Sequence, residues 1–219
     1  EQRSDLAQKL ISTQESTLRN ISRELHDEFG QVLTAIGSLL GRAGNHLPDG
    51  SKVLEEVQEV REIAQSTLDN IRSLSQALHP VLLDEAGLVS TLDWYIPTVE
   101  RQSGLTLHYE KAGGAFPLDG GASVHVYRVL QEALNNVTRH SGAKEAWVRL
   151  KFAADSLELE VEDHGKGIMA EKNGRGIGLV AMRERAEILG GTLELLQRAG
   201  GGTSVRLRIP RQKVEAHAS

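Results

Sequence analysis

Between Val53 and Leu78, the positions Val53, Val57, Val60, Ala64, Thr67, Ile71, Leu74 and Leu78 recur at alternating spacings of four and three, without a miss. Such a repeat holds one stripe of a helix against a partner helix over many turns, as in a coiled coil or a helical bundle. Ser51 reads as the N-cap of this helix. His79-Pro80 ends it, because proline disfavours helix in the residue before it. Upstream, Leu18, Ile21, Leu25, Val32, Ile36, Leu39 and Leu40 recur at helical intervals, and Phe29 and Leu33 widen the stripe. The turn formers from Gly44 to Gly50 separate the two helices. Two long helices across a short loop make an antiparallel hairpin that exposes apolar residues on more than one side. Pairing two copies into a four-helix bundle would bury them, so a homodimer is expected on physical grounds.

After Pro80 the period changes. Val89 to Arg101 reads as a helix, Leu105 to Lys111 as a strand and Ala122 to Ser141 as a strong helix. Ala146 to Phe152 and Leu157 to Glu162 alternate apolar and polar residues, as half-buried strands do. A glycine-dense stretch from Gly165 to Gly178 leads into a helix ending near Gly190-Gly191, and Thr192 to Gln197 and Thr203 to Ile209 read as closing strands. The expected fold is two-part: a helical hairpin (residues 1–80) forming a dimeric four-helix bundle, then an α+β sandwich over 86–210, a mixed sheet with helices on one face. Residues 211–219 are expected to form a flexible tail.

Composition narrows the function classes. The net charge of −5 gives no basis for nucleic-acid binding. The chain has no cysteine, which excludes disulfides, thiolate chemistry and Cys-based zinc sites. No apolar run reaches the roughly 18 residues of a membrane span. The chain opens without Met inside a helical pattern, so it reads as a piece of a longer protein. Any membrane attachment is expected only through the missing upstream segment, and the piece itself is expected in the cytoplasm.

Glu162-Asp163-His164-Gly165-Lys166-Gly167-Ile168 follows a strand, and Asn173-Gly174-Arg175-Gly176-Ile177-Gly178-Leu179 opens a helix. Glycines let backbone approach a ligand, and a helix N-terminus offers free N–H groups to an anion, which together suit a polyphosphate. Neither a P-loop nor a Rossmann fingerprint is present. A lone glycine pair more often marks a turn. Here Glu132 and Asn136 precede it, four apart on one helix face. Both carry oxygens, the ligands Mg²⁺ prefers, although a solvated face would look the same.

The order of these boxes resembles the ATPase fold shared by histidine kinases, Hsp90-type chaperones, type II topoisomerases and MutL proteins. The resemblance covers residues 86–210. It implies ATP and Mg²⁺ as ligands, with Asp163 accepting a hydrogen bond from the adenine amino group. It implies that Asn136, with Glu132, ligates the metal, and that Gly165, Gly167, Gly174, Gly176 and Gly178 frame the phosphates and lid. Arg139, Ile168, Leu179 and Thr203 would line the nucleotide. Glu132 departs from the asparagine found in many histidine kinases.

The hairpin carries Glu24-Leu25-His26-Asp27-Glu28-Phe29-Gly30-Gln31. A single histidine in a helix is more often a surface or packing residue. Asp27 lies about 100° round an α-helix from His26, so both can face outward beside the seam. A carboxylate bonded to one ring nitrogen makes the other the better nucleophile. Gln31 is expected one turn beyond Asp27 on the same edge.

This stretch resembles the phosphoacceptor box of the NarL-partnered sensor histidine kinases. Leu78-His79-Pro80, Leu83, Gly87-Leu88 and Met182-Arg183-Glu184-Arg185 with Leu189-Gly190-Gly191 match as well, extending the resemblance to residues 18–210. It implies that His26 attacks the γ-phosphate, that Asp27 orients it or takes its proton, and that a NarL-type response regulator receives the phosphate. Gln31 would position water to dephosphorylate that partner. A short lid between Ile168 and Gly174 is typical of this subfamily. Two rival readings are a nucleotide-holding dimeric scaffold and an ATP-driven conformational machine, though such machines lack a hairpin bearing His-Asp. Incubation with γ-labelled ATP separates the three.

Overall fold

The helix and strand signals become seven helices and five strands among the residues described by the computed structural model, which are 2–167, 177–198 and 201–214. Two compact units divide the chain, Lys9–Val81 and one made of Leu82–Ser219 with Glu1–Gln8.

In the first unit, α1 (Gln2–Glu24) runs into a π-helical turn at Leu25–Phe29 and then into α2 (Gly30–Gly44). The junction residues Glu24 and Phe29 keep right-handed helical dihedrals. The expected continuous α-helix is thus interrupted by one wider turn. After the loop comes α3 (Lys52–Leu78), capped as expected: Ser51 Oγ accepts from the Leu54 N–H at 3.2 Å. His79 ends it in an extended conformation before Pro80.

The four-three repeat of α3 separates into two rows. Ala64 is buried and Val57, Ile71 and Leu78 are half-buried, whereas Val53, Val60 and Leu74 are exposed. On α2, Leu33 and Leu40 are half-buried while Val32, Ile36 and Leu39 are exposed. The inner rows pack α2 on α3; the outer rows form a second apolar stripe.

In the second unit, α4 (Val81–Ser103) is kinked at Gly87, whose φ of 77° no helix accommodates. Then follow β1 (Thr106–Ala112), α5 (Gly120–Asn136), a π-helical turn (Val137–Ser141), β2 (Glu145–Phe152) and β3 (Ser156–Asp163). The chain continues through α6 (Ile177–Ile188), β4 (Thr192–Gln197), β5 (Thr203–Pro210) and α7 (Arg211–Val214). The helix expected over 122–141 therefore stops being α-helical at Asn136. The tail expected to be flexible begins with a helical turn, in which the Arg211 N–H bonds to the Asp155 carbonyl at 2.9 Å.

The sheet order is β1-β2-β3-β5-β4; β1 and β2 are parallel and the other pairs antiparallel. Parallel pairing requires a crossover, which α5 supplies. Val148, Leu150, Leu159, Val161 and Leu207 point to one face, where they form a core with Leu92 and Ile96 of α4, Leu130 and Leu134 of α5, and Met182 of α6. The other face carries the charged residues of β2, β3 and β5.

Candidate active site

Asp163 is the last residue of β3 and only 4% exposed. Strand alternation sends it to the helix-covered face with Val161, opposite to Glu162. Its Oδ1 accepts the Gly165 N–H at 2.8 Å, and no other side-chain bond engages the carboxylate among the described residues. The loop that follows is stitched to the end of the π turn: the Lys166 N–H bonds to the Ser141 carbonyl at 2.9 Å. A Cβ at Gly165 would collide with that same carbonyl. Glycine is needed here for backbone-to-backbone packing within the protein, a reason that spacing alone did not reveal. Gly167 has φ of 72°. Thr203 is half-buried and precedes Ser204, the cross-strand partner of Glu162, which places it at the same end of the sheet as Asp163.

Gly178 has a comparable role on the other side. A Cβ there would collide with Glu132 Oε1, so the side chain of Glu132 occupies the gap that the glycine leaves. Asn136, half-buried, follows Glu132 by four residues on the same flank of α5. Arg139 is exposed within the π turn. Leu179 packs against the hydrophobic core, which accounts for it without a ligand. Ile168, Gly174 and Gly176, and with them the expected lid, lie outside the described residues. Glu132 also borders a cleft of about 580 Å³ toward α4, lined further by Tyr95, Val99, Gln131 and Leu134 but not by Asp163.

No cluster of three or more His, Cys, Asp or Glu residues suited to a metal occurs among the described residues. Glu132 and Asn136 nevertheless fit Mg²⁺. This ion keeps most of its water and takes one or two protein oxygens, together with those of a phosphate chain. A buried carboxylate with one oxygen engaged by the loop and one left over fits the amino edge of adenine.

On the hairpin, the π turn carries His26 and Asp27, whose Nδ1 and Oδ1 lie 3.3 Å apart. His26 is 51% and Asp27 68% exposed, so both face outward as expected. The angle of about 100° expected between them holds for α-helix and not for this wider turn. Gln31 is exposed in the first turn of α2. Four residues earlier than His26 sits a feature that sequence reading passed over. Ser22 Oγ lies 2.8 Å from the Ser75 carbonyl, 2.7 Å from the His79 carbonyl and 2.8 Å from Ser75 Oγ, and Ser75 Oγ donates to the Ser22 carbonyl at 2.8 Å. Ser22, Ser75 and His79 are all buried. The available signal was positional: Ser22 falls in the stripe between Leu18 and Leu25, and Ser75 between Ile71 and Leu78.

Residues 121–213 match the family described as histidine kinase-, DNA gyrase B-, and HSP90-like ATPase, and residues 18–83 match a family described as histidine kinase. The chain is 32% identical over 95% of its length to the signal transduction histidine-protein kinase/phosphatase UhpB of Salmonella typhimurium. It is equally 32% identical, over 94% of its length, to the oxygen sensor histidine kinase NreB of Staphylococcus carnosus. It spans about half the length of these relatives, 42% and 59% respectively. Its fold resembles the histidine kinase domain of the blue-light activated kinase from Erythrobacter litoralis, with a TM-score of 0.53 at 21% identity, over 84% of this chain and 96% of that one. With both parts matched in their family order and the fold in agreement, the chain belongs to the protein histidine kinases.

Proposed function

We propose that this chain is the catalytic portion of a dimeric sensor kinase that phosphorylates His26 from Mg-ATP and passes the phosphate to an aspartate of a NarL-type response regulator. The observation that carries the proposal is the exposed His26 with Asp27 at its Nδ1. When Asp27 accepts a hydrogen bond from Nδ1–H, Nε2 is left with its lone pair free to attack. Attack by Nε2 forms a P–N bond as the γ-phosphorus parts from the bridging oxygen of ADP, and the Nδ1 proton is held or taken by Asp27. The receiver carboxylate then displaces the imidazole, restoring neutral His26.

In the ATPase unit, Asp163 selects adenine, while Thr203 and the glycines Gly165, Gly167 and Gly178 border the nucleotide. Glu132 and Asn136 would hold Mg²⁺, which neutralises triphosphate charge. Arg139, exposed at the end of the same helix, adds positive charge beside it. Gln31 orients water on the phosphorylated receiver, since its amide offers both a donor and an acceptor without charge. UhpB carries the name kinase/phosphatase, which favours this second activity. No described helix is long and apolar enough to cross a membrane. A cytoplasmic site of action follows from the ATP and receiver chemistry.

The test is incubation with γ-labelled ATP. Wild-type protein is expected to take label on one residue, stable in base and labile in acid as a phosphoramidate is. His26→Ala should keep nucleotide binding and lose the label. A variant that still labels would end the proposal.

A further inference from the structure

On the outer face of the sheet, three rings form a stack that the phosphoryl-transfer reading leaves unused. Trp147 of β2 lies between His108 of β1, with centroids 5.0 Å apart and planes 20° apart, and His164, at 4.3 Å and 29°. Each histidine is tied to a carboxylate: His108 Nε2 lies 3.2 Å from Glu145 and His164 Nε2 lies 3.1 Å from Glu162. The stack follows from strand register. His108 pairs directly with Trp147 across the parallel ladder, and Trp147 pairs with Glu162 across the antiparallel one. Glu162, Asp163 and His164 then alternate out, in and out at the end of β3.

His164 is therefore the residue through which the outer face grips the entry of the glycine loop. Three described contacts fix that entry. From inside, Ser141 receives the Lys166 N–H and crowds Gly165. Within the loop, Asp163 receives the Gly165 N–H. From outside, His164 is pinned by the Trp147 face and by Glu162. Asp163 has the outer anchor on its C-terminal neighbour and the strand ladder on its N-terminal side. A rotation of the peptide that freed His164 would turn the carboxylate away from the direction in which it now points.

We infer that His164 is a positioning residue for nucleotide binding, acting by stacking on Trp147 to hold Asp163 in its adenine-facing orientation. The inference rests on the reading of Asp163 as the adenine acceptor. It predicts a specific split. His164 is 50% exposed and is not one of the core residues, so its loss should leave folding intact. Losing one aromatic contact at the loop should weaken ATP binding by about three- to tenfold. The rate at saturating Mg-ATP should stay the same, because His26 is untouched.

The experiment measures His26 labelling against ATP concentration in the full chain for wild type, His164→Ala, His164→Phe and Asp163→Asn. The expected result is a raised KM with unchanged saturating rate for H164A, and recovery of the wild-type KM in H164F, which keeps a stacking ring and lacks the hydrogen bond. An unchanged KM in H164A beside lost binding in D163N would overturn the positioning role and leave the nucleotide site standing. Equal weakening in H164A and H164F would overturn the stack as the anchor. Normal binding by D163N would instead remove the reading of Asp163 on which the inference rests.

Discussion

Gly165 and Gly178 both lack side chains because another group fills the space, but the two groups differ in how they can yield. At Gly165 the neighbours are the carbonyl and Cβ of Ser141, the latter 2.7 Å from where a new Cβ would lie. Backbone cannot rotate aside, so Gly165→Ala should cost about 1–3 kcal/mol as overpacking does, and it should also displace the N–H that Asp163 holds. At Gly178 the neighbour is the end of the Glu132 side chain, which can swing away. Gly178→Ala should therefore leave stability within about 0.5 kcal/mol of wild type while shifting the Mg²⁺ dependence of ATP binding. Thermal unfolding with Mg-ATP titration of both variants checks this. A G178A protein less stable than G165A would show that Glu132 is rigidly held.

At the scale of elements, β3 carries Glu158, Glu160 and Glu162 along the outer face between the basic residues of β2 and β5. Burial pushes the Glu160 carboxyl upward, but bonds from Ser204, Arg206 and Arg149 outweigh it and hold the group below the ordinary carboxylate range. Glu162 is likewise raised by burial and lowered further by Arg149, His164 and Arg198. A carboxylate whose pKa is lower folded than unfolded binds fewer protons in the native state. Its stabilisation is complete above the unfolded value of 4.5 and is lost as pH falls through that value toward the lower folded one. The urea midpoint should drop as pH falls through about 4.5 and below, and Glu160→Gln should lessen the drop. Equal drops in both proteins would locate the acid sensitivity elsewhere. Sequence showed these strands because period-two alternation survives any register, and the bounds of β4 matched without adjustment. It showed Asp163 and its glycines because a close-packed loop leaves a compositional trace. The π turns at Leu25–Phe29 and Val137–Ser141 left none, since their residues are those of any amphipathic helix and the choice of i−5 over i−4 bonding is made by packing. The Ser22–Ser75 pair was hidden for a related reason: serine in a helix usually faces water, and only its partner 53 residues away makes it a buried joint.

For the whole molecule, the decisive quantity is the apolar surface that one copy leaves uncovered. Phe29, Val32, Ile36 and Leu39 follow one another at spacings of three, four and three, and stand 49, 56, 37 and 58% exposed. On α3, Val53, Val60 and Leu74 are each about half exposed, and with Thr67 they are the exposed members of the four-three repeat. A continuous apolar stripe over several turns of two helices exceeds what monomers ordinarily show to water. A second copy of the same hairpin would cover it by the symmetry of an isologous contact, each stripe meeting its own likeness. The unit starting at Leu82 has its own core and needs no such cover. The full chain is therefore expected at twice its mass of 23.9 kDa by light scattering at micromolar concentration. A fragment from Leu82 onward should be monomeric and still bind ATP. Leu39→Glu with Val60→Glu should yield monomers, because two buried carboxylates without partners would each cost more than the apolar contact they replace. A wild-type chain at the monomer mass would mean that something other than a second copy covers the stripe. A variant that remained dimeric would mean that the two copies meet through a different face of the hairpin.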